Sequence, residues 1–364
     1  MSGPADFDPA REEKPTPGIR LPSWKDWRVW ASFAVTAFCI WLAVRGIPIS
    51  EVTAAIARLN FWTLLLASAP CYLLSVYFRA LRWRHLVRPV AELPRSLLYR
   101  STALGFMANN LLPLRVGEIV RAWTLARDSG ISMAAVVGTV ALERVLDAVT
   151  VLAMSLGGLA YLLDSQGAGG SSELAQVLAR GSVFLLPAAA APIVVLVLLR
   201  AMPEKCIAFV GICMAPLPVR FRQPVDSALR SFILGLGALR GGMHLFWIAV
   251  HSVMIWLVTG TVPILLGFEW FSVDLGGPWE SLVHAWILLG ALGAAVAIPS
   301  APGFIGPYQL AFTAVLVPFG VAKATALAMG VVVWFIFWLI LTGQGLLYLA
   351  VSRSNLFELT RGPK

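Results

Sequence analysis

Residues 322–351 form one long apolar run that carries a single charge, Lys323. Five further apolar stretches lie at 27–44, 60–78, 132–163, 180–200 and 244–267. The hydrocarbon of a bilayer is about 30 Å thick, and a helix needs about 20 residues to cross it. Lipid cannot satisfy backbone N–H and C=O groups, so runs of this kind must be helices that satisfy their own. The expected fold class is an all-α integral membrane protein with about six full transmembrane helices. With 59% hydrophobic and 13% charged residues, the net charge of +9 is a matter of loop placement. No nucleic acid is expected as a partner.

Loop charges set the topology. Arg79, Arg82, Arg84, Arg88, Arg95 and Arg100 mark a cytoplasmic segment, and so do the basic residues of 200–240. The loops at 164–179 and 268–281 carry acidic residues and neither Lys nor Arg, which puts them outside. Residues 1–26 read as a disordered cytoplasmic tail without a cleavable signal peptide, and residues 352–364 as a second cytoplasmic tail. The expected location is the cell's inner membrane, multi-pass, with both termini cytoplasmic. Between the tails lies one polytopic domain, 27–351, with half one at about 60–163 and half two at about 244–351. The stretch 203–243 reads as an amphipathic segment on the inner leaflet. Trp24, Trp27, Trp62, Trp83 and Trp279 read as interfacial anchors.

Two apolar stretches do not fit as simple spans. Residues 97–126 are interrupted at Asn109-Asn110 and Pro113, and residues 282–318 from Pro299 to Pro307. Halves of about 10–17 residues are too short to cross, so each stretch is expected to be a re-entrant broken-helix pair. Ala103-Leu-Gly105, Pro113, Gly117 and Gly130 recur in order and spacing as Ala291-Leu-Gly293, Pro302, Gly306 and Gly320. On the topology above, the first pair enters from the cytoplasm and the second from outside, which makes an inverted repeat. Interrupted helices at matching positions of two opposed halves point to a transport site. The bland alternative is that the Pro and Gly breaks only kink their helices.

Charge clusters at the first break. Arg115 follows Pro113, where a half-helix N-terminus would favour an anion and a guanidinium could grip phosphate. Glu118 and Arg121 stand three apart and can pair. On the next span Glu143 and Asp147 share a face, with Arg144 about 100° away. Each Arg or Asp at mid-membrane costs roughly 2.5–3.5 kcal/mol, so such charges are functional candidates. One arrangement sets Glu143 and Asp147 as counter-ions to Arg115 or Arg121, leaving one arginine for a lipid phosphate. The other is a structural ion-pair network that fixes helix register. The second break offers Gly303 and Gly306 for close backbone approach, with Tyr308 and Gln309 as neutral hydrogen-bonding groups.

His244 and His251 share a face without a carboxylate or Cys at metal-ligand spacing, so no metal is expected. Cys39, Cys71, Cys206 and Cys213 give no disulfide pattern. No P-loop, nucleophile elbow or dinucleotide fingerprint occurs, and neither a cofactor nor an enzyme activity is expected.

At Pro113-Leu-Arg115-Val-Gly117-Glu118 with Arg121, at Glu143-Arg144 with Asp147, and at Pro302-Gly303 through Gly306, the chain resembles the transmembrane region of the lysylphosphatidylglycerol synthases. The resemblance, also called the flippase-like domain family, covers about residues 30–350. It implies a second glycine where Phe304 stands and an acidic residue near Gln309. The soluble aminoacyl-transferase domain of the full-length synthases is expected to be absent, since the sequence ends just past the last span. The expected function is therefore a lipid translocator, with an anionic phospholipid or related membrane lipid as partner and a homo-oligomer or lipid-synthesis protein as a further possible one. Arg115 and Arg121 would hold the headgroup, Glu143 and Asp147 would tune or release it, and Glu143→Gln should lower transport while leaving folding largely intact. The alternatives are a non-transporting scaffold for lipid or envelope-building enzymes and, lower, an intramembrane headgroup-modifying enzyme.

Overall fold

Asp26 starts the first helix, its carboxylate accepting from the Arg28 N–H at 2.9 Å, and α1 follows over Trp27–Val44. A short α2, Ile49–Ala57, comes next, and Asn60 caps α3, Phe61–Val87. Pro94 precedes α4, Arg95–Leu111, and after a 3-10 turn at Pro113–Arg115 the chain continues as α5, Gly117–Ser129, and α6, Met133–Ser165. Then follow α7, Pro203–Cys213, and α8, Gly242–Trp270, which holds a π-helical turn at Leu257–Thr261. The last part comprises α9, Pro278–Ala297, a 3-10 turn at Pro302–Phe304, α10, Pro307–Leu316, and α11, Lys323–Ser352. This computed structural model describes residues 25–165 and 242–352, most of 194–218, and scattered positions from 222 to 233. Among the described residues there is no strand.

Six helices, α1, α3, α6, α8, α9 and α11, are long and apolar enough to cross a membrane. The number matches the expected six, but the membership differs. The proposed span 180–200 lies largely outside the described residues, and α9 takes its place in the count. A sequence of 20 residues from Pro278 to Ala297 is helical without interruption, so the first arm of the second break is longer than the short half-helix expected. The expected span 60–78 also runs on to Val87, because Arg79 and Arg82 continue the helix instead of ending it. Trp24, the tails apart from residues 25, 26 and 352, and part of the 203–243 amphipathic segment lie outside the described residues. Within that segment Phe232 is buried in the same apolar cluster as Leu86, Leu142 and Ile248, whereas Phe209, Ile212 and Val225 are exposed.

The repeat seen in the spacing is also a repeat of backbone conformation. In the first break Leu114 and Arg115 have φ of 63° and 55°; in the second, Gly303 and Phe304 have 72° and 64°. Gly130 and Gly320, both left-handed, close the second arm of each half. The halves exchange arms: α4 packs along α11, and α9 along α6. Small residues permit these contacts. A Cβ on Gly345 would lie 2.4 Å from Met107 Cβ, and one on Gly290 would lie 2.1 Å from Ser155 Oγ. The two breaks meet where the arms cross.

Candidate functional site

The first break is held by its own asparagines. Asn109 Oδ1 accepts from the Gly117 N–H at 2.7 Å, capping α5 from the preceding helix. Asn110 donates from Nδ2 to Thr342 Oγ1 at 3.1 Å, and its carbonyl accepts from Trp338 Nε1 at 3.2 Å. Gly117 is obligatory at the crossing, since a Cβ there would come within 2.1 Å of the Gly105 carbonyl oxygen.

The second break is built similarly. Gln309 Oε1 accepts from the Gly306 N–H at 2.7 Å, and Trp334 Nε1 donates to the Gly303 carbonyl at 2.6 Å. From α1, Thr36 Oγ1 accepts from Ala301 N–H at 2.8 Å and donates to the Ile305 carbonyl at 3.3 Å. Tyr308 is buried between Phe312 and Phe337. Four expected polar site residues, Asn109, Asn110, Tyr308 and Gln309, are thus engaged in holding or packing the breaks.

The charges gather beside the first break, on α3, α5 and α6. Glu143 is fully buried, and its two carboxylate oxygens accept from Arg121 Nη1 and Nη2 at 2.9 and 2.8 Å, a two-point contact. Arg82 Nη2 lies 3.3 Å and Arg79 Nη1 3.8 Å from the same carboxylate. Asp147 accepts from Arg82 Nη2 at 2.7 Å and Arg79 Nη1 at 3.0 Å. Arg144 Nη2 sits 3.0 Å from both Glu143 and Asp147, and Arg144 Nη1 is 3.7 Å from Glu118. Arg82 Nη1 donates to Ser252 Oγ at 3.0 Å, which ties α8 to the cluster.

Aromatic rings line the other side. The Arg121 guanidinium lies 3.7 Å over the Trp83 ring, and Arg79 lies between Phe106 and Trp256 at 5.3 and 5.4 Å. Trp256 ends the α-helical turn just before the π turn of α8, a type of irregularity frequent at functional sites.

Several sequence expectations change here. Glu118 does not pair with Arg121; it faces Arg144, while Arg121 goes to Glu143. Arg144 departs from the α6 axis about 100° from Glu143, but its long side chain curls back to reach that carboxylate. Arg79 and Arg82, read as a cytoplasmic marker, are buried members of the cluster. Trp83, read as an interfacial anchor, is buried, and its Nε1 donates to Thr139 Oγ1 at 3.0 Å. Trp27, Trp62 and Trp279 are exposed, as anchors would be.

Arg115 stands apart. It is half-buried, forms no ion pair among the described residues, and lies 5.5 Å from the Phe304 ring of the other break. Its guanidinium therefore sits where the two breaks meet. Phe304 occupies the position at which the resemblance called for glycine, and it keeps a positive φ. Counting Arg115, five guanidinium groups share this region with three carboxylates. The buried Nε groups of Arg79, Arg82, Arg115, Arg121 and Arg144 have no hydrogen-bond partner among the described residues. The arrangement carries a surplus of positive charge and of N–H donors, which an anion with several acceptor oxygens would satisfy.

Fold and site define a multi-pass, all-helical membrane protein with two similarly built broken-helix halves and a buried arginine–carboxylate cluster. Within that class the chain belongs to the lysylphosphatidylglycerol synthase transmembrane-region family, whose sequence profile matches residues 29–345. It is also similar to glycosyltransferase AglD of Haloferax volcanii, 26% identical over 324 residues, which cover 82% of this chain and 50% of that protein. The chain thus spans about half the length of this curated relative. No solved structure matches the chain.

Proposed function

We propose that the protein is a lipid translocator of the cell's inner membrane. An anionic headgroup passes through a polar groove between the two breaks, while its acyl chains stay in the bilayer. The observation that carries this reading is Arg115, without an ion pair among the described residues at the meeting point of the breaks and backed by a cluster richer in guanidinium than in carboxylate. Intramembrane charge of this kind is costly unless it is used. The matched pair of interrupted segments agrees with a transport site placed between repeats.

The test is translocation of fluorescent phosphatidylglycerol across liposomes holding the purified protein, with Arg115→Gln beside the wild type. Loss of at least tenfold in rate, with unchanged thermal stability, supports the reading; an unchanged rate removes Arg115 and the groove from it. A second reading is a non-transporting membrane scaffold for an enzyme that acts on lipids. It draws on the pairing of Glu143 with Arg121 and of Asp147 with Arg82, and on a relative, named as a glycosyltransferase, that is longer than this chain. Wild-type protein that moves no lipid class in liposomes would favour it.

A further inference from the structure

A cleft of about 480 Å³ opens where α4 begins and α11 ends, with α3 as its third wall. Its apolar lining includes Leu73, Leu347 and Val351, all exposed. They belong to α3 and α11, two helices of membrane-crossing length, so what they face in place is acyl chain.

Two independent polar features mark the same cleft. Arg95, on its rim, is the first residue of the 17-residue α4 and forms no ion pair among the described residues. Pro94 at the N-cap supplies no side-chain cap, so the first-turn N–H groups of α4 have no partner within the helix and carry its positive partial charge. Gln344, the other feature, is only 7% exposed. Its Oε1 accepts from Tyr99 OH at 2.8 Å, but its Nε2, on the cleft wall, is buried without a hydrogen-bond partner among the described residues. A buried amide donor in that position calls for an acceptor inside the cleft.

We infer that this cleft binds one anionic phospholipid taken sideways from the bilayer. Its phosphate sits on Arg95 and the α4 N-terminus, an ester carbonyl accepts from Gln344 Nε2, and an acyl chain runs along Leu73 and Leu347. A soluble anion would leave that apolar lining bare, which is why the occupant is a lipid. The site is separate from the charge cluster: Tyr77 lines the cleft while Arg79 belongs to the cluster, and two residues apart on α3 means about 200° around the helix. The inference does not depend on translocation, since a scaffold could hold the same lipid.

Native mass spectrometry of the purified protein, titrated with dioleoyl-phosphatidylglycerol or dioleoyl-phosphatidylcholine, tests it. Wild type should hold one phosphatidylglycerol in clear preference to phosphatidylcholine. Arg95→Gln should weaken phosphatidylglycerol about tenfold, the value of one charge-assisted contact, and leave phosphatidylcholine unchanged. Gln344→Met should weaken both lipids several-fold. A phosphatidylglycerol with a photoreactive acyl chain should label the segments around Leu73 and Leu347. The inference fails if Arg95→Gln, a substitution at an exposed position, keeps the wild-type preference, if labelling avoids both segments, or if excess inorganic phosphate displaces the bound lipid.

Discussion

Glu143 and Arg144 are neighbours in sequence with opposite physical situations. Glu143 is fully buried and faces guanidinium groups from α3, α5 and α6, whereas the Arg144 side chain is 35% exposed. Removing one member of a buried ion pair costs about 3–5 kcal/mol, because the partners stay buried without compensation. Glu143→Gln is therefore expected to lower thermal stability in detergent by several degrees or more, contrary to the sequence-based expectation that folding would be spared. Arg144→Gln should cost about 1 kcal/mol or less, since its side chain is partly exposed and the buried carboxylates it leaves keep Arg121, Arg82 and Arg79 as partners. Equal shifts in the two melting curves would refute this contrast. The sequence pointed to Arg121, Glu143 and Asp147 because charge inside an apolar run is conspicuous. It concealed Arg79 and Arg82, which open an arginine-rich stretch and satisfy the positive-inside bias as well as any surface residue. The available signal was their spacing of three, which puts both on one helix face as Glu143 and Asp147 are on theirs.

At the scale of elements, proline and glycine made both breaks legible, because their backbone restrictions are local. The partners that hold the breaks come from distant residues, such as Thr36 for the second and Trp338 for the first, and periodicity carries no trace of them. The same locality separates two glycines of the first half. A Cβ at Gly117 would collide with the Gly105 carbonyl and with Asn109, all firmly held, whereas one at Gly130 would meet nothing within 4 Å. Gly117→Ala is expected to cost about 3 kcal/mol or more by forcing α4 and α5 apart and breaking the Asn109 cap. Gly130→Ala should cost only the strain of a positive φ, about 1 kcal/mol. Thermal unfolding of the two variants in one detergent checks the order, and a reversed order would mean that the α4–α5 crossing is looser than its geometry states.

For the molecule as a whole, exchange of arms between the halves is the organising fact: α4 lies on α11 and α9 on α6, with the breaks meeting at the crossing. A two-fold relation produces this reciprocity, and an axis in the membrane plane would set equivalent points of the halves on opposite faces of the bilayer. Gly130 and Gly320 are such equivalent points, each ending a half's second arm. From the loop charges, the Gly130 turn is expected to be cytoplasmic and the Gly320 turn outside. In a variant without the four native cysteines, Ser129→Cys should therefore resist a membrane-impermeant maleimide applied to intact cells and react only after permeabilisation. Ala322→Cys, next to the second turn and exposed, should react at once. Labelling of both from the same side would make the halves parallel. The groove between the breaks would then lose the opposed geometry that lets one half open as the other closes, and the translocator reading would lose its structural basis even if the charge cluster still bound lipid.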